Sequence, residues 1–131
     1  MPTRDLTLAM IGSGGDGVVT MGEMMAQAGA RDGLNVIKVE AYGPQIRGGE
    51  SSCTLRMSAE PISAQGDAVD VLVIFNWADF TRFKGEVVPK ADAVILYEAS
   101  DPTPISDVKI PAAEKATWIP VPFIELATKA T

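Results

Sequence analysis

Residues 6–33 limit most strongly what this chain can fold into. LTLAMI, a nearly continuous apolar run, passes through GSGGDG into a segment whose apolar and small residues recur at helical spacing. A run of that kind is the pattern of a strand buried on both faces, as in a sheet layered between helices. The inward stripe of the following segment is Val18, Gly22, Met25, Ala26 and Gly29, which predicts a helix over about 18–32 ending at Gly33. Gly inside a helix costs about 0.5–1 kcal/mol relative to Ala, so Gly22 and Gly29 imply a close packing partner or a ligand approaching the backbone. NVIKVEA, residues 35–41, predicts a second strand and completes a strand–helix–strand unit of the kind that joins parallel strands.

The rest of the chain extends that pattern. Residues 52–57 alternate as a third strand, only nine residues (42–50) after the second. A parallel crossover usually needs a dozen or more, so this pair is expected to be antiparallel or displaced and the sheet mixed. DVLVIF (70–75) reads as a central strand, 76–83 as a short helix, 93–97 as a further strand, and 99–114 as a polar loop. TWIPV (117–121) reads as a last strand that Pro120 confines to an edge or an end, with a helix opening at Pro122. The expected fold is α/β: one three-layer, Rossmann-like domain over 1–131 with a mixed, mostly parallel sheet.

Composition removes several function classes. The chain has no histidine and a single cysteine, Cys53. It therefore lacks the commonest general base, a principal zinc ligand, and the thiolates of an iron–sulfur cluster. No catalytic residue and no metal ligand is assigned, and any chemistry is expected on a partner. The formal charge of −6 argues against nucleic acid. No apolar run is long enough for a membrane span, and no secretory pattern opens the sequence, so the expected location is cytoplasmic.

Two loops carry the functional signal. Four glycines in the six positions 12–17 lie between the first strand and the first helix. Helix-start amides lack internal acceptors and carry about half a positive charge, and glycines let a phosphate reach them. Gly14, Gly15, Gly17 and the Val18 amide are the natural donors. The bland alternative is a tight turn with an empty anion site. Asp16 reads either as the helix N-cap or as an acceptor for a ligand hydroxyl.

The spacing Gly12-x-Gly14-x-x-Gly17 is also the dinucleotide fingerprint, and Glu40 stands where a ribose-binding acid would. That keeps open a small NAD(P)- or FAD-binding oxidoreductase, against which stand the short chain and the missing histidine. The second loop, YGPQIRGGES (42–51), sets backbone donors beside the Arg47 guanidinium, an arrangement suited to phosphate. It reads equally as a turn with a solvated arginine. Arg56 is either a second cation or a solvent-facing edge residue, and Cys53 reads as a small buried hydrophobe.

Taken together, GSGGDGVVxxG (12–22), YGPQIRGGESSCTLRMS (42–58) and DVLVIFN (70–76) resemble the gamma subunit or domain of the 2-oxoacid:ferredoxin (acceptor) oxidoreductases, over roughly residues 6–125. The resemblance implies an accessory subunit, inactive alone, that helps bind coenzyme A while a 2-oxoacid is oxidatively decarboxylated to an acyl-CoA. By position, Gly14, Gly15, Asp16, Gly17 and Val18 would cradle the phosphates, and Arg47, Gly48, Gly49 and Ser51 would line the second loop. It further implies partner alpha and beta subunits, with or without a ferredoxin-like delta subunit, carrying thiamine diphosphate, Mg and iron–sulfur clusters. A purely structural assembly subunit with a vestigial loop is the remaining alternative. The family often has Gln at the place of Asp16 and usually Glu at that of Gln45. Its gamma domains also run several tens of residues past a segment like 119–123, so the domain is expected to be cut short at its C-terminus.

Overall fold

The opening apolar run becomes an inner strand of a six-stranded sheet. The computed structural model describes residues 5–13, 17–42, 50–62, 68–83, 87–102 and 115–130. In chain order the elements are β1 (Asp5–Ser13), α1 (Val18–Arg31), β2 (Asn35–Tyr42), β3 (Glu50–Ser58), β4 (Val69–Ile74), α2 (Trp77–Phe83), β5 (Pro89–Glu98), β6 (Thr117–Val121) and α3 (Phe123–Ala130). The spatial order is β2-β3-β1-β4-β5-β6. The β1–β4, β4–β5 and β5–β6 pairs are parallel, and β3 is antiparallel to both of its neighbours. The sheet is thus mixed and mostly parallel, with β4 central and β6 at an edge.

One expectation needs correction. The helix between β1 and β2 sets their relative direction but not their adjacency. The chain returns antiparallel as β3, which pairs with β1 on one side and β2 on the other. The connection of 43–49 is too short to cross over, so β3 has to run antiparallel to β2, and it fills the slot beside β1. Arg56 consequently lies on an inner strand, and its guanidinium pairs with Asp5 at 2.8 Å.

Alternation divides the core into two. Leu8, Met10, Cys53, Leu55 and Val73 bury one sheet face beneath Val18 of α1, with Phe123 of α3 packed against the same group. Ala9, Ile11, Leu72, Ile74 and Ile95 bury the opposite face against Trp77 and Phe80 of α2. Burying a large aliphatic side chain contributes about 1.5–3 kcal/mol, which makes the β1–β4–β5 centre the stability core. The α1 stripe is as expected: Val18, Gly22 and Gly29 are buried, with Met25 and Ala26 packed beside them. A Cβ on Gly22 would lie 2.4 Å from the Cys53 sulfur, and one on Gly29 would lie 2.9 Å from the Met57 sulfur. Both glycines answer to helix–sheet packing.

Candidate functional site

The two loops singled out above leave the same end of the sheet. β1 ends at Ser13 opposite Glu50, where β3 begins, and Tyr42 at the end of β2 lies opposite Ser51. Strand register alone therefore sets the base of the 14–16 loop beside the base of the 43–49 loop. Ser51 is buried and its hydroxyl donates to the Gly12 carbonyl at 3.4 Å, joining the two bases. Of the nominated residues, Gly17, Val18 and Ser51 are placed. Gly14, Gly15, Asp16, Arg47, Gly48 and Gly49 lie outside the described residues.

The start of α1 differs from those of the other two helices. Its N-cap is Gly17, at φ 85°, ψ 15°, without a side-chain cap and with no acid in the first turn. The N-cap position belongs to Gly17, whose left-handed conformation glycine adopts without the Cβ penalty, while Asp16 and both of its readings lie outside the described residues. A Cβ at Gly17 would meet nothing within 4 Å among the described residues. By contrast, Asn76 Oδ1 accepts from the Ala78 and Asp79 amides at 2.8 and 3.3 Å, and Asp101 accepts from the Trp77 amide at 3.1 Å. α2 thus begins with its donors engaged.

Glu98 does the same for α3 from the end of β5, accepting from the Ile124 amide at 3.0 Å and from the Ser100 amide and hydroxyl at 2.8 Å each. Burial pushes this carboxyl's pKa up, but donations from Ser100, Ile124 and Phe123 outweigh it and hold the group below the usual carboxylate range. Both caps escaped the sequence reading. Asn76, directly before a helical pattern, was a recognisable signal. Glu98 accepts from an amide 26 residues away in the chain, so no local pattern reveals it.

The remaining candidates separate cleanly. Cys53 is fully buried, and burial pushes its pKa up to about 11, opposite to what a nucleophilic thiol requires. Glu40 faces the α1 side of β2 and pairs with Lys38 at 3.1 Å, while Lys38 also holds Glu23 of α1. With β3 between them, β2 stands two strand spacings, about 9–10 Å, from β1. In a dinucleotide fold the acid-bearing strand adjoins the glycine-loop strand, so the nicotinamide arrangement is not formed.

Comparison with known proteins decides the lineage. Residues 7–131 match the family model described as pyruvate ferredoxin/flavodoxin oxidoreductase. The chain belongs to this family. It is 35% identical over 125 residues to the ketoisovalerate oxidoreductase subunit VorA of Methanothermobacter marburgensis, a match covering 95% of this chain and 24% of that one. It is 30% identical over 98 residues to the 2-oxoglutarate synthase subunit KorC of Archaeoglobus fulgidus, covering 74% and 51%. The chain therefore spans about a quarter to a half of the length of these relatives.

Among solved structures it superposes on the 2-oxoglutarate:ferredoxin oxidoreductase of Magnetococcus marinus, solved with 2-oxoglutarate, coenzyme A and succinyl-CoA bound, with a TM-score of 0.81 at 27% identity. That match covers 98% of this chain and 22% of that one. The keto/oxoacid ferredoxin oxidoreductase gamma subunit of Geobacter sulfurreducens shares the fold, at a TM-score of 0.69 and 20% identity over 95% and 66% of the two chains. Among the described residues no helix is long and apolar enough to cross a membrane.

Proposed function

We propose that this chain is the gamma-type component of a thiamine-dependent 2-oxoacid:acceptor oxidoreductase and that its glycine loop engages the diphosphate of coenzyme A. The observation that carries the reading is the start of α1: a helix whose N-cap is Gly17, in the left-handed conformation and with no side-chain cap among the described residues, at the sheet end where the bases of both loops meet. Family membership and the likeness to a 2-oxoacid oxidoreductase solved with coenzyme A bound support the choice of ligand. Each amide donating to a charged phosphate oxygen contributes about 1.5–3 kcal/mol, and the helix dipole adds to that.

In this reading the amides of Gly14, Gly15, Gly17 and Val18 hold the diphosphate, and Asp16 accepts from a ligand hydroxyl. Arg47 supplies the charge-matched fork, backed by the amides of Gly48 and Gly49. Ser51 keeps the two loop bases together by holding the Gly12 carbonyl. Thiamine diphosphate with its Mg, held by alpha and beta partners, would supply the decarboxylation chemistry, and iron–sulfur clusters there would supply the electron path. This chain binds and orients the acyl acceptor and contributes no reacting group. The test is calorimetric titration of the assembled complex with coenzyme A. Gly15→Val is expected to weaken binding by an order of magnitude or more, and unchanged affinity would remove the cradle from the mechanism.

A further inference from the structure

The two edges of the sheet are treated differently. β6 is five residues long and carries Pro120, which removes a donor and blunts that edge against further pairing. β2 is eight residues long, and its register with β3 runs unbroken from Asn35 opposite Ser58 to Tyr42 opposite Ser51. It contains neither proline nor bulge. Its one lysine, the residue type that most often guards an edge, is held toward the α1 face by Glu23 and Glu40. Val39, midway along, is 41% exposed. Among the described residues only β3 pairs with β2, so its outer row of backbone donors and acceptors is a template for another strand.

We propose that β2 pairs antiparallel with β2 of a second copy of this chain, joining two six-stranded sheets across a two-fold axis at Val39. The residues of the strand are complementary to themselves about that point. Val39 falls opposite Val39, Lys38 opposite Glu40, and Ile37 opposite Ala41. Because alternate residues share a face, the two Lys–Glu pairs lie together on the α1 side and the aliphatic pairs on the other.

Neighbouring registers are excluded by the same charges. A slip of two residues one way sets Lys38 against Lys38, and the other way sets Glu40 against Glu40, like-charge pairs that destabilise a ladder. Helix α1 lies over β3, with Gly22 against Cys53 and Gly29 against Met57. The two copies of α1 would thus stand about three strand spacings, roughly 14 Å, apart, wider than a helix diameter of about 10–12 Å. The two helices therefore do not collide on the face they share.

Sedimentation equilibrium of the chain from micromolar to submillimolar concentration tests the assignment. The wild type is expected to associate reversibly to twice its 13.8 kDa mass. Glu40→Lys and Lys38→Glu should each weaken association on the order of tenfold, by setting like charges opposite at both ends of the pair. An equimolar mixture of the two variants should recover it, since each Lys then faces a Glu across the axis. Circular dichroism of each variant confirms the fold. A wild type that stays monomeric throughout, or a mixture that associates no better than either variant alone, overturns the proposal.

Discussion

Gly22 of α1 stands against Cys53 of β3 so closely that a Cβ on the glycine would sit 2.4 Å from the Cys53 sulfur. The contact sets how near the helix lies to the sheet. Gly22→Ala would otherwise favour the helix by about 0.5–1 kcal/mol, but overpacking here costs about 1–3 kcal/mol. The expected net effect is destabilisation. Adding Cys53→Ala removes the sulfur and should return part of the loss. Urea midpoints of both single variants and the double variant measure the coupling, and purely additive values would show that the two side chains do not compete for this space.

The same burial governs the Cys53 thiol. Its pKa is raised to about 11 from an ordinary 9.0, chiefly by desolvation, with Glu40 adding to the shift. A raised folded-state pKa means the contribution to stability is fully present below pH 9 and is lost as pH climbs through about 11. Thiol-reactive dyes at neutral pH should label the chain only at the rate of unfolding, and Cys53→Ala should flatten the loss of stability between pH 9 and 11. Rapid stoichiometric labelling of the native chain would contradict this.

These packing relationships mark the boundary of what the residues announced in advance. Gly22 and Gly29 declared a close approach, yet their partners, Cys53 and Met57, depend on the register of β3, which local periodicity does not carry. The shortness of the 42–50 connection disclosed an antiparallel pair, but not that β3 would wedge between β1 and β2. That insertion bears on the dinucleotide reading, because it sets the Glu40-bearing strand two places from β1 rather than beside it. The two loops themselves were visible as composition. That their bases adjoin was not, since it follows from Ser13 meeting Glu50 across the ladder.

Glu98 offers a pH-dependent test of how α3 is held. Burial raises its pKa, but the donors from Ser100, Ile124 and Phe123 prevail and lower it below the ordinary 4.5. A depressed folded-state pKa gives stability that is present above pH 4.5 and lost as pH falls through the folded value. Glu98→Gln keeps the shape and removes the charge, so it should cost about 1–3 kcal/mol at pH 7 and much less near pH 3. Denaturant midpoints against pH would show this as convergence of the two proteins on acidification. Curves that remain parallel to pH 3 would show that the carboxylate charge is not what anchors α3.

Gly17 and Gly33 bracket α1 with nearly the same φ, 85° and 84°, and a Cβ on either meets nothing within 4 Å among the described residues. Alanine at each position therefore carries the same penalty, about 1–2 kcal/mol for a left-handed L-residue, with no added clash. The pair makes a matched control for the phosphate reading, because stability loss alone cannot distinguish them. In the assembled complex, Gly17→Ala should tilt the amides of residues 17 and 18 away from a bound diphosphate and weaken coenzyme A by about tenfold. Gly33→Ala, at the far end of the helix, should leave that affinity within about twofold of wild type while showing the same shift in denaturant midpoint. Equal effects of the two variants on coenzyme A binding would mean that the helix start contributes only to the fold.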